Sequence, residues 1–289
     1  MLFSILLDLE VKREYREYIM SKPYKFLILL LTLLGYAAGG VIIAYILLKG
    51  IPNISPALFE WNYTSKNVSI MPSLIATLFT ILLTLLIALP VGIFTAIYLS
   101  NYAKNKVFIK AVRFSTEILS SIPSIVYGLF GYLFFVTGTD LGLGFGYSLI
   151  AGCLTVAIMI LPTIIRTTEE AINTVNPLQA HASLALGATK IQTIFKIVLP
   201  EAMDGILGGI FLATGRIVGE SAALIYTMGT QPQVPTGLKQ SARTLAVHMY
   251  VLSSEGFHVN EAYATAVLLL VFVILINWIS TRITQTLVD

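Results

Sequence analysis

Residues 26–48 carry no charged side chain, and that uninterrupted apolar run constrains the fold more than any other feature of the chain. About 20 apolar residues suffice for a helix to cross the hydrocarbon core of a bilayer. A helix satisfies its own backbone polar groups there, which an open strand or loop does not. Comparable runs recur at 72–100, 115–137, from a glycine-rich turn at 138–146 to Arg166, at 201–228 and at 262–281. The expected fold is all-α: a polytopic membrane protein with six transmembrane helices. Composition agrees, since 56% of the 289 residues are apolar and 11% charged, against about 25% charged in a typical soluble domain.

Residues 1–25 place Lys12, Arg13, Arg16, Lys22 and Lys25 behind an apolar start, the reverse of a secretory signal. They are expected to form an interfacial amphipathic helix on the lipid. Residues 26–70 then give the first transmembrane helix and an external loop, whose two sequons at Asn62 and Asn67 are read as chance. Thirteen basic residues flank one side of the six spans and four the other, so the positive-inside bias puts both termini in the cytoplasm. The long polar stretch 229–260 falls outside. There a surface or re-entrant helix is expected, with Lys239 and Arg243 near the path by which an anion would approach.

Several chemistries are excluded. Cys153 is the sole cysteine and the three histidines are scattered, so no metal site and no intrachain disulfide is proposed. No phosphate-binding G-x-x-x-x-G-K-[ST] loop occurs, so this chain does not split ATP by that route. No cofactor and no nucleic-acid partner is implied.

Between the fourth and fifth runs lies a polar insert, 176–200. Asn176-Pro177 is a helix-start signal, and Gly187 is placed to end the short helix as a left-handed cap. Thr189 can cap a second helix, in which Ile191, Ile194, Phe195 and Val198 fall on one stripe. That stripe must rest on the bundle above or on a soluble partner below.

The fifth run contains Arg216 and Glu220, one turn apart on a continuous helix and roughly 18–24 Å along it. A charge near mid-membrane costs at least about 2.5–3.5 kcal/mol and marks a substrate path by default. A self-neutralising pair that locks the helix is the alternative. Gly215, Gly219 and Ser221 leave space beside the charges, while Gly205 and Gly209 suit close helix packing. In the third run, Pro123 follows Ser120 and Ser121 and precedes Ser124. It frees a backbone carbonyl that serine hydroxyls or water can satisfy. Ser121 and Ser124 then belong either to a broken binding helix or to a plain kink. Glu117 and Arg166 flank the inner ends of their spans.

Two sets of residues resemble a known family. Ala182, Gly187, Ile197 and Leu199-Pro200 resemble the cytoplasmic "EAA" loop of ABC-importer permeases, whose first short helix docks on the ATPase subunit. His181 stands at the acidic position and Ser183 at the second alanine, so the family's glutamate contact is not carried over. The resemblance implies a coupling role for Leu178, His181, Ala182, Gly187, Leu199 and Pro200. The segments SIPSIVYGLFG and GRIVGESAAL, with SARTLAVHMY and EAYATAVLLL, are similar to the phosphate-specific permeases of that family, A-type rather than C-type. This implies the type I ABC-importer fold, with residues 71–284 as the permease domain and 167–200 as its cytoplasmic coupling loop. It also implies a paralogous permease partner, two ATPase subunits that hold ATP and Mg, and an extracytoplasmic phosphate-binding protein. The expected activity is ATP-driven import of inorganic phosphate along a path including Arg216, Glu220, Ser221, Ser121 and Ser124. Another oxyanion, or the C-type position, is the near alternative. An ion-coupled carrier or channel is the alternative of another class, and it leaves the insert unexplained.

Overall fold

The computed structural model describes residues 22–138 and 142–288, and among them there are no strands. Of the interfacial helix expected over residues 1–25, residues 1–21 lie outside the described residues, and residues 22–25 open the long helix that continues to Gly50. The helices are α1 (Lys22–Gly50), α2 (Met71–Tyr102, its last turn π-helical), α3 (Lys106–Ser121), α4 (Ser124–Val136) and α5 (Leu149–Thr174). They continue as α6 (Pro177–Ala185), α7 (Lys190–Glu201), α8 (Met203–Gly219), α9 (Ala222–Thr227), α10 (Leu245–Glu255) and α11 (Val259–Val288).

Helices α2 and α5 form the spine and run parallel. Cys153 Sγ lies 4.0 Å from the Thr80 carbonyl, and further along Gly92 packs on Ile164. Helix α8 returns antiparallel against α5, with Gly205 on Ala171 and Gly209 on Thr167; the small residues permit that approach, as expected. Around the spine, Ala88, Val156, Met159, Ile160, Ile217 and Leu224 form the main apolar core. Helix α1 touches this body only near its C-terminus, where Tyr45 meets Tyr263 edge-on at 5.9 Å. None of its membrane-spanning window is buried within the chain.

Among the described residues, four helices are long and apolar enough to cross a membrane, or up to six if each of two bent pairs is one span. The third expected span, 115–137, is not straight. It bends by 100° between α3 and α4, because Pro123 cannot donate to the carbonyl four residues back. Helix α3 is capped by Asn105, whose side chain accepts from the amides of Val107 and Phe108, and none of its residues is buried. Ser124–Val136 alone extends roughly 20 Å, short of a full bilayer core. The fifth run also breaks: α8 stops at Gly219 and α9 starts at Ala222.

The insert folds largely as its sequence signals. Asn176 caps α6 by accepting from Leu178 N–H at 3.0 Å, and Gly187 takes the left-handed conformation at φ +87°. Thr189 and Gln192 form a reciprocal capping box at the start of α7. The four-residue stripe splits, however. Ile194 and Val198 are buried against Ile97, Ala171, Ile172 and Ile206, whereas Ile191 and Phe195 are exposed. Ile194 and Val198 lie one turn apart on the buried side, and Ile191 and Phe195 one turn apart on the adjoining side that faces out.

Candidate functional site

The two helix breaks adjoin. Gly128 of α4 faces Ala223 of α9 so closely that a Cβ there would stand 2.9 Å from the Ala223 Cα. Glycine is what allows these short helices to lie side by side. At the α3–α4 break the carbonyl orphaned by Pro123 is that of Leu119. It accepts from the Tyr127 hydroxyl at 2.7 Å and, more weakly, from Ile122 N–H at 3.3 Å. The serines expected to fill this role do not. Ser120 and Ser121 donate back to Glu117 and Ile118 in their own helix, and Ser124 is half-buried at the first turn of α4. A hydroxyl four residues beyond the proline was the signal available in the sequence, because one helical turn brings it over the break.

At the α8–α9 break the expected geometry of Arg216 and Glu220 does not hold. Glu220 has left the helix, at φ −74° and ψ 127°, so the two side chains are not neighbours on one continuous face. No ion pair joins them among the described residues. Instead Glu220, 8% exposed, accepts from Ala223 N–H at 2.9 Å and so caps α9. The self-neutralising pair is therefore replaced by a cap and a separate arginine. Arg216, half-buried in the last turn of α8, makes no ion pair with a described residue. Ser221 is half-buried beside it in the break.

Toward the insert, α3, α5 and α8 enclose a cleft of about 670 Å³ lined by Arg113, Glu117, Ser120, Arg166, Glu169 and Glu170 among others. Arg113 reaches across to buried Glu169, with Nε 3.0 Å from Oε1, and ties α3 to α5. Arg166 pairs with Glu170 one turn on, at 2.9 Å. The Arg113–Glu169 bridge was not legible, because nothing local relates residues so far apart in sequence.

The insert presents Leu178, His181 and Ala182 on α6, and all three are exposed. Pro200 is exposed and Leu199 half-buried. The hydroxyls of Ser183 and Thr193 meet at 3.0 Å, holding α6 to α7. Lys190 donates to the Asn101 carbonyl and sits 4.6 Å from the Tyr102 ring centroid, which fastens the insert to the end of α2.

Residues 88–289 match the family of binding-protein-dependent transport system inner membrane components. The chain belongs to that family. Among its relatives, the probable ABC transporter permease protein YqgI of Bacillus subtilis is 36% identical over 206 residues, 64% of this chain and 68% of that protein. The phosphate transport system permease protein PstA homolog of Mycoplasma pneumoniae is 35% identical over 182 residues, and the alignment covers 28% of its length. A bacterial alginate ABC transporter, solved with its alginate-bound periplasmic protein, superposes on 92% of this chain and 99% of its own with a TM-score of 0.65 at 21% identity. The permease is thus a multi-pass membrane protein with the type I ABC-importer fold.

Proposed function

We propose that this permease forms half of the membrane pathway of an ATP-driven importer of inorganic phosphate, as the A-type subunit beside a paralogous partner. Two ATPase subunits, which hold ATP and Mg, engage α6 from the cytoplasm, where both termini also lie. An extracytoplasmic phosphate-binding protein delivers the anion at the other end. One observation carries this reading: among the described residues Arg216 has no ion-pair partner, and it stands where two broken helices adjoin. A guanidinium presents a planar fork to two oxygens of a tetrahedral oxyanion, and its cost at membrane depth is otherwise uncompensated. Ser221 and Ser124, both half-buried, supply hydroxyls, whereas Ser121 is exposed at the end of α3 and its hydroxyl is turned to Ile118. Glu220 shapes the break rather than neutralising the arginine. The names of the relatives support phosphate as the cargo.

The test is reconstitution of the complete complex in liposomes with the binding protein present. Phosphate uptake that requires ATP and resists a sulfate excess is expected. Uptake without ATP, or preferential sulfate uptake, contradicts the reading.

A further inference from the structure

The end of α2 remote from the insert holds a second cationic cluster. Arg243 is 4% exposed and His248 wholly buried. The Arg243 guanidinium stands 4.8 Å from the Tyr63 ring centroid, and the His248 ring meets the same tyrosine edge-on at 6.1 Å. Among the described residues, Nε and Nη2 of Arg243 and both ring nitrogens of His248 make no well-formed hydrogen bond, although the Tyr63 side chain lies near the guanidinium and the Val68 backbone near the imidazole. Native proteins leave few buried polar groups in that state. Arg243 forms no ion pair among the described residues, and Glu255 acts on it only at a distance. Burial and the Arg243 charge hold the imidazole neutral, its pKa pushed down to about 3. The arginine keeps its proton, so the cluster bears one uncompensated positive charge.

Two further features point the same way. Helix α10 begins beside Arg243, with Thr244 as its N-cap, and its N-terminus adds positive potential. Over the cluster runs the strap 61–70, which is pinned by Asn67. That side chain accepts from the amides of Thr64 and Ser69 and donates to Glu60 and to the Asn62 carbonyl, so Asn67 is no free sequon. Within the strap, buried Val68 beside His248 has φ +48°. A β-branched residue rarely adopts that conformation, and such strain concentrates at ligand clamps.

We infer that Arg243, His248 and the start of α10 form a second oxyanion site, closed by the strap 61–70, at the end of the bundle where the anion arrives. The identity of its ligand rests on the phosphate-import reading. Chemistry favours phosphate over other anions. The neutral imidazole offers one donor and one acceptor. The acceptor can receive a hydrogen bond from a phosphate hydroxyl, a donor that sulfate and chloride do not carry, and a site left with an unpaired group discriminates strongly.

The experiment uses the purified complex carrying Tyr63→Trp as a fluorescent reporter, titrated with phosphate, sulfate and chloride. A saturable emission change with phosphate is expected, at least tenfold tighter than with sulfate, about 1.4 kcal/mol. Arg243→Gln and, independently, His248→Phe weaken it at least tenfold, while Arg216→Gln leaves it unchanged. Should Arg243→Gln fail to assemble, Arg243→Lys replaces it, and a loss of phosphate-over-sulfate preference in His248→Phe supports the site. A response equal for all three anions, or none at millimolar phosphate, overturns the site. If the response appears but the complex imports something other than phosphate, the import reading fails and the site stands. If phosphate is imported and the reporter is silent, the reverse holds.

Discussion

Replacing Glu220 separates a cap from a counter-ion. In the structure its carboxylate accepts from Ala223 N–H at 2.9 Å in a buried setting, and it makes no ion pair with Arg216. A glutamine keeps an acceptor oxygen at the same reach, so Glu220→Gln loses only the charge-assisted part of one hydrogen bond, about 1 kcal/mol. Glu220→Ala removes the acceptor altogether and strands a buried amide, which costs about 1–3 kcal/mol, within the range for loss of an N-cap. The alanine variant should therefore be the less stable by about 1–2 kcal/mol. Unfolding of the purified complex in mixed micelles with increasing SDS measures the difference, and co-purification of the partner subunits reports assembly. Were glutamine and alanine equally damaging within about 0.5 kcal/mol, the carboxylate's charge would matter more than its hydrogen bond, and the capping role would be wrong.

Three other changes have defined outcomes. Tyr127→Phe removes the 2.7 Å bond to the Leu119 carbonyl and should cost about 1–2 kcal/mol in the same unfolding assay, the low end because Ile122 N–H still reaches that oxygen; no loss contradicts the bracing of the break. Gly187→Val places a β-branched residue at φ +87°, for about 1–3 kcal/mol of strain. ATPase stimulation should fall while membrane insertion persists, and unchanged stimulation and ATPase binding count against docking through α6. His248 sets a pH dependence. The unfolded chain takes up a proton near pH 6.5 that the folded chain refuses until about pH 3. Stability from this group is thus complete above pH 6.5 and is lost on acidification at up to about 1.4 kcal/mol per pH unit. His248→Phe should flatten that slope, and an equal slope in both proteins refutes it.

Membrane character, the order of the apolar runs and the insert were legible because each rests on local pattern. Asn176, Gly187 and Thr189 act at the positions their chemistry dictates. The breaks were only half legible. Pro123 announced a bend, but its 100° angle depends on packing that no window of sequence contains. The break after Gly219 has no proline, and only the capping glutamate three residues before Ala223 hints at it. Reading Arg216 and Glu220 as one helical face assumed a continuity that the backbone abandons. The stretch 229–260 does contain a helix, α10, and of the two expected forms, surface or re-entrant, the burial of Leu245, Ala246, Val247, His248 and Leu252 speaks against a helix lying on the surface. Lys239 is exposed as expected, whereas Arg243 is buried. That burial follows from contacts with Tyr63 and His248, which are distant or invisible in sequence.

Under the phosphate-import proposal Arg216 serves the transported anion rather than the architecture, and one comparison decides between the two roles. Phosphate uptake and subunit co-purification are measured together for the wild-type complex, Arg216→Gln and Arg216→Lys. Because Arg216 makes no ion pair among the described residues, both variants should assemble normally. Uptake should be abolished in Arg216→Gln and impaired in Arg216→Lys, since a point charge does not reproduce the two-oxygen fork. Arg216→Gln that assembles and transports at the wild-type rate would contradict the account, and so would a variant that loses uptake only because the complex falls apart.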